Sequence, residues 1–292
     1  MRRTSALVPF CWMFALVLGL VPGSVQAQTY TFKAVYDSLD ARHDPSRPLI
    51  ERYFITSNHH WACFNRGLSA EARITAKEEL ELAEQLGVDS LISTAMNHVG
   101  DSFNGSADAA LQLKYFYLGL EYAERSGIPN TIGVAQKQIA TVYKSLGDLP
   151  RALALLKQAI TNVRAPGQMN RTSCHLSDCY RLMGQPDSAL YWAQRSNIIP
   201  RPEDDNYAYA RSYYMLGAAY AVKGERELAN VHFARAIEVA DSFQVMIPLY
   251  GSLVGRGQME LEAGDIPAAI ADGRRALTVS SAGGNLEGLV GA

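Results

Sequence analysis

Small residues return along this chain at an almost fixed interval: Gly67, Ala107, Gly147, Gly184, Gly224 and Gly264 stand 40, 40, 37, 40 and 40 residues apart. Five residues after each come Ala72, Gln112, Ala152, Ala189, Ala229 and Ala269, and twelve after come Glu79, Gly119, Ala159, Ser196, Ala236 and Ala276. Self-similarity at this period predicts an array of helical hairpins, each unable to bury its apolar face alone and therefore stacked on its neighbours. The length would allow two compact domains. An array grows by adding neighbours and needs no central core, so one elongated repeat domain is expected.

The clearest unit runs from Ala210 to about Val245. Its first helix carries Tyr213, Leu216, Gly217 and Tyr220 on one face. Gly217 is expected to let the partner helix approach closely, and Gly224 to close the helix in a left-handed conformation. The second helix carries Leu228, Ala229, His232, Phe233, Ala236, Ile237 and Ala240 as an apolar seam. An earlier unit superimposes on it without a gap through Ile139, Ala140, Tyr143, Gly147, Ala152, Leu156 and Ala159. Asp148 and Asp265 suit the cap of a second helix, and Pro150 and Pro267 the first helical turn that follows. The unit between, with Tyr180, Gly184, Pro186, Asp187, Ala189 and Ala193, is three residues shorter.

These residues resemble the tetratricopeptide repeat (TPR) family, best through Leu216-Gly217, Tyr220, Gly224, Ala229, Phe233 and Ala236. The resemblance covers about residues 53–289 in six units. Gln112, Glu79, Arg256 and Gly273 depart from the family pattern. It implies an all-α fold, a right-handed superhelical solenoid of about six antiparallel helix-turn-helix hairpins. A period near 40 is similar to the long-helix variety found in extracytoplasmic bacterial repeat proteins and in sensory halves of histidine kinases and regulators. The family's groove lies on the first helices. Carried over residue by residue, its partner-binding positions are Asn97, Asp101, Lys137, Thr141, Lys144, Arg171, Asp178, Arg181, Arg211, Tyr214 and Gln258. The resemblance implies a protein or peptide partner. With five basic and two acidic residues in this set, an acidic segment or free carboxylate held by Lys137, Arg171 and Arg211 is one expectation, and a merely solvated helix face is the other.

The ends add two expectations. Arg2 and Arg3, the apolar run from Phe10 to Val21 and the small-residue exit Val25-Gln26-Ala27 have the layout of a secretory signal peptide over residues 1–27. The apolar run is shorter than the roughly 20 residues that a spanning helix needs, so an exported protein, periplasmic or extracellular, without stable membrane insertion is expected. Residues 28–52 read as a capping helix, Tyr30 to about Ala41, and a linker broken at Asp44-Pro45-Ser46-Arg47-Pro48, and the array as residues 53–292. At the other end, Leu286, Leu289 and Val290 fall where a further hairpin should begin, with no polar cap over the seam. That leaves the array incomplete at its C-terminus, and open to self-association through the last hairpin.

Signs of chemistry are absent. Removal of residues 1–27 changes 27 basic and 29 acidic residues to 25 and 29, a net charge of −4, without the basic excess of a nucleic-acid binder. His43, His59, His60, His98, His175 and His232 show no metal-ligand spacing, and adjacent pairs such as Cys174-His175 point apart on a helix. Cys174 and Cys179, about 140° apart around a helix, read as separate buried residues. Gly251, Gly255 and Gly257 follow no strand and so make no phosphate loop. No enzyme and no cofactor are expected. The leading reading is an exported interaction scaffold binding a polypeptide in a concave groove. Two alternatives are the sensory portion of a longer bacterial signalling protein, a histidine kinase or transcriptional regulator, and a structural part of an outer-envelope assembly.

Overall fold

The computed structural model describes residues 43–65, 68–103, 108–199 and 205–282, all within one compact unit, Thr31–Ala292. The expected signal peptide and the expected capping helix lie outside the described residues, as do Gly67, Ala107 and residues 283–292. Among the described residues there are twelve α-helices and no strand. They are α1 (Leu49–Asn65), α2 (Ser69–Leu86), α3 (Asp89–Asp101), α4 (Ala109–Ser126), α5 (Pro129–Ser145) and α6 (Leu149–Asn162). The second half continues with α7 (Pro166–Leu182), α8 (Pro186–Ile198), α9 (Asn206–Lys223), α10 (Arg226–Phe243), α11 (Met246–Glu262) and α12 (Ile266–Ala282). None is long and apolar enough to cross a membrane.

Consecutive odd and even helices pair into six hairpins, α1 with α2 through α11 with α12. The first helices also touch one another, α3 to α5, α5 to α7, α7 to α9 and α9 to α11. They form a continuous inner wall, whereas each second helix from α2 to α10 bridges to the first helix of the next unit. The first helix begins at Leu49, so Leu49 to Arg52 belong to the array and not to the expected linker, which ended at residue 52.

The local chemistry explains where each hairpin turns. Gly147, Gly184, Gly224 and Gly264 all sit at positive φ, between 67° and 82°, the left-handed region that a Cβ disfavours. Downstream of two of these turns the cap residues are as expected. Asp148 accepts from the Arg151 amide at 3.1 Å, and Asp265 from the Ala268 amide at 3.2 Å. The seams bury Ala152, Leu156 and Ala159, Ala189 and Ala193, and Ala229, Phe233 and Ala236. Leu228 departs from the expected seam: it is 43% exposed, because the seam of α10 is centred on Ala229 and Phe233.

Close approach is real at Gly217. A Cβ there would stand 2.6 Å from Cδ1 of Phe233, inside the contact distance of two carbons. Gly217→Ala is therefore expected to destabilise the array by about 1–3 kcal/mol through overpacking. Urea unfolding followed by circular dichroism measures it, and an unchanged midpoint would show that α9 and α10 can separate freely.

Candidate functional site

A cavity of about 650 Å³ opens on the inner wall against α9 and α11, with its floor on α10. Six of the eleven expected groove residues line it: Lys144, Asp178, Arg181, Arg211, Tyr214 and Gln258. Their helical phase brings them together, since first helices pack side by side and repeat-equivalent positions point the same way. Arg171 and Arg211 are such equivalents, forty residues apart on α7 and α9.

The polar end of the cavity is a charge network. Asp178 on α7 pairs with Lys144 of the preceding unit and accepts from Arg181 at 2.8 and 3.1 Å. Burial raises the Asp178 pKa, but Lys144 and Arg181 outweigh it and hold the carboxyl well below the ordinary range. Two cations thus share one carboxylate. Arg211 differs from both. Among the described residues its guanidinium meets the Tyr207 hydroxyl at 2.8 Å and the ring of His175 at 3.3 Å, and neither is an acid. Its buried Nε has no hydrogen-bond partner. His175 is pushed well below its ordinary pKa by burial and by Arg211, Lys144, Lys137 and Arg171, so it stays neutral. The half-buried Arg211 thus has uncharged hydrogen-bond partners, while the Asp178 carboxylate, already engaged by Lys144 and Arg181, acts on it only through its charge.

The other five expected residues do not line the cavity. Lys137 is 6% exposed and donates to Gln168 at 3.3 Å. Burial and the nearby Arg171 lower its pKa to about 7, against the pull of Asp101. Arg171 is covered: its guanidinium lies 5.1 Å from the Trp61 ring and 5.7 Å from Tyr207, with Asp205 at 3.8 Å. Of the expected acid clamp of Lys137, Arg171 and Arg211, only Arg211 lines the cavity, together with Lys144 and Arg181. Asp101 accepts from Gln138, and burial raises its pKa to about 6. The Thr141 hydroxyl donates to its own helix at Gln138, 2.7 Å away. Asn97 leaves the groove altogether: it is buried against α4, with Oδ1 where a Cβ on Gly119 would come within 2.9 Å.

The rest of the lining is mostly apolar. Met215, Ala218, Phe233, Val254 and Met259 belong to it, with Ile247 exposed at the rim and with Gln258 and Glu262 as its polar members on α11. Tyr214 packs under α11, where a Cβ at Gly251 would lie 3.1 Å from its ring. Gly255 meets the Phe233 ring in the same way. Those glycines shape a helix–helix contact, as their position outside any strand-turn-helix unit required.

A second polar cluster is buried under the first two hairpins. Glu79 on α2 is 0% exposed and its carboxylate lies 2.8 Å from Nδ1 of His98 on α3. Burial opposes both charges, yet the pair prevails: the His98 pKa is raised by Glu79, and that of Glu79 is lowered by His98. His60 on α1 stacks on His98 at 4.5 Å and is lowered to about 3 by burial and by His98, so it is neutral and its Nδ1 donates to the Ala72 carbonyl at 3.0 Å. Among the described residues no group of histidine, cysteine and carboxylate side chains is arranged to hold a metal ion. Cys174 and Cys179 are separate buried thiols, as their spacing implied. One local signal for this cluster existed, since Glu79 stands where other units carry Ala159, Ala236 and Ala276.

No protein-family model matches the chain, and no curated protein matches it in sequence. Solved structures match its fold. A Rap protein crystallised in complex with competence and sporulation factor is 14% identical, aligned over 86% of this chain and 70% of that one, with a TM-score of 0.66. The apo form of RapI is 14% identical over 94% of this chain and 96% of its own, with a TM-score of 0.64. The apo quorum sensor NprR from B. thuringiensis is 11% identical over 92% of this chain and 84% of its own, with a TM-score of 0.53. The six stacked hairpins, their repeat-phased seams and these likenesses agree: the chain folds as a helical solenoid of the tetratricopeptide-repeat type.

Proposed function

We propose that this chain is a non-catalytic interaction scaffold that binds a polypeptide in the cavity of its inner wall and recognises an acidic group on it. The observation that carries the reading is Arg211, a cavity-lining guanidinium whose partners among the described residues are a hydroxyl and a neutral imidazole. A partner carboxylate would give Arg211 a directly hydrogen-bonded counter-charge, which Asp178, engaged by Lys144 and Arg181, does not. The Rap neighbour, of similar fold, was crystallised with a factor bound, which supports a binding role for a wall of this kind. The signal-peptide layout of residues 1–27 supports action outside the cytoplasm.

The test uses the purified chain and a library of short peptides, each made with a free C-terminal carboxylate and as its amide. Acid-bearing peptides are expected to bind at least tenfold more tightly than their neutral counterparts, since a hydrogen bond to a charged group contributes about 1.5–3 kcal/mol. Equal retention of acidic and neutral forms would overturn the acid-recognition reading, and retention of none would overturn the peptide reading as a whole.

A further inference from the structure

We infer that the cavity reads a two-part segment of its partner, an acidic group on Arg211 joined to a bulky apolar side chain seated against Val254 and Ile247. This rests on the polypeptide-binding reading and adds the chemistry of the second contact.

The inner wall changes character along its length at repeat-equivalent positions. The phase occupied by Asp101, Thr141 and Asp178 in the earlier units is taken by Ala218 and Gln258 in the later ones. The phase of Asn97 and Lys137 becomes Tyr214 and Val254, and that of Lys144 and Arg181 becomes Ala221. The wall is therefore charged across α5 and α7 and mostly apolar across α9 and α11, and Arg211 stands at the boundary. At the charged end the stack closes on itself: Trp61 of the first hairpin lies over Arg171 of the fourth, and Tyr207 covers the same guanidinium. The cavity is lined by the later helices, so a ligand that reaches Arg211 also lies along the apolar wall.

That wall is suited to an apolar side chain. Phe233, Met215 and Met259 are buried beneath it, with the Phe233 ring packed against Gly217 and Gly255, and the apolar surface open to an occupant is that of Val222, Val254 and Ile247. Ile247 at the rim is 41% exposed, apolar surface that an occupant would cover. A volume of about 650 Å³ falls within the range of ligand pockets, roughly 300–1,000 Å³. Charge complementarity selects the occupant. Three cations, Lys144, Arg181 and Arg211, line the cavity with two carboxylates, Asp178 and Glu262, and the net positive charge that remains suits an acid on the incoming chain. A peptide with an acidic residue near a large apolar one satisfies both ends, and the apolar group acts as the buried anchor.

The experiment measures binding of three fluorescent peptide pools to the full chain by anisotropy. The first pool fixes Glu with Phe one to four residues away, the second replaces that Phe with Ser, and the third replaces the Glu with Gln. The first is expected to bind at least tenfold more tightly than either other pool. The Ile247→Asp variant, altered at an exposed rim position and confirmed as folded by circular dichroism, is expected to lose the preference for Phe over Ser while keeping that for Glu over Gln. Equal binding of the Phe and Ser pools would overturn the two-part reading and leave acid recognition standing. Binding of decanoate at the expense of every pool would assign the cavity to a small amphiphile. Concentration-dependent dimerisation abolished by Ile247→Asp would assign it to a second copy. Either result overturns the proposal, and failure of all three pools to bind overturns the peptide reading beneath it.

Discussion

Replacing Glu79 with alanine is expected to lower the stability of the first two hairpins by about 3–5 kcal/mol, although alanine is the residue that three other units carry at this place. The reason is His98. Its imidazolium is buried, 2.8 Å from the Glu79 carboxylate, and without that carboxylate it must either lose its proton or remain an uncompensated charge. His60 cannot substitute, because burial keeps it neutral and its Nδ1 is bound to the Ala72 carbonyl. Adding His98→Leu to Glu79→Ala is expected to recover part of the loss, since replacing both partners of a buried pair with apolar groups removes the orphan. The effect depends on pH in a definite sense. The raised pKa of His98 gives stability that is complete below 6.5, its ordinary value, and is lost as pH rises through the folded pKa. The lowered pKa of Glu79 gives stability that is present above 4.5 and is lost as pH falls through the folded pKa. The difference between wild type and Glu79→Ala is therefore widest from pH 4.5 to 6.5 and narrows on either side. An array couples mainly nearest neighbours, so hydrogen exchange should quicken in α1 to α3 and stay unchanged in α11 and α12. Uniform loss of protection through all six hairpins would show that the cluster does not act locally.

The hairpin array was legible because its determinants are local and repeated. A glycine in the left-handed region, an aspartate cap and small residues twelve positions beyond the turn each act within one unit, so a single sequence exposes them several times over. Groove residues were legible to the extent that helical phase alone decides where a side chain points, which holds for Lys144, Asp178, Arg181, Arg211, Tyr214 and Gln258. Phase failed where a neighbour changed the space available. Asn97 has the phase of Lys137, but Gly119 stands where other units have alanine, and the amide fills the gap that the missing methyl leaves. Glu79 is the reverse case, a large polar group at a small-residue position, accommodated because His98 and His60 meet it there. Long-range closure was not legible at all. The approach of Trp61 to Arg171 depends on the summed path of the intervening helices, and no local pattern encodes a contact across 110 residues.

Replacing Arg211 with methionine is expected to weaken the binding of an acidic peptide by about 2–5 kcal/mol, a loss of about 30-fold to several thousand-fold, and mainly through faster dissociation. Methionine keeps much of the length and apolar stem of the arginine, so the cavity retains its shape while the charge and the donor fork are lost. Arg211→Lys should recover only a part, because an ammonium presents a point charge where the guanidinium presents a planar fork already oriented by Tyr207. Lys137 supplies an independent check. Its pKa is held at about 7 by burial and by the charges of Arg171 and Arg211, with Asp101 pulling the other way. As pH rises through 7, Lys137 loses its proton and the wall loses a positive charge, so wild-type affinity for an acidic peptide should fall. As pH drops through about 6, the buried Asp101 becomes neutral and affinity should rise further. Removing Arg211 relieves part of the repulsion on Lys137, so in Arg211→Met the upper transition should move to higher pH even as the affinity drops. Unfolding of the wall would also raise the Lys137 pKa by releasing it from burial, so circular dichroism of the variant over the same pH range must show the wild-type helix content. Isothermal titration with one acidic peptide from pH 5.5 to 8.5, read with that spectrum, separates a lost contact from a lost fold.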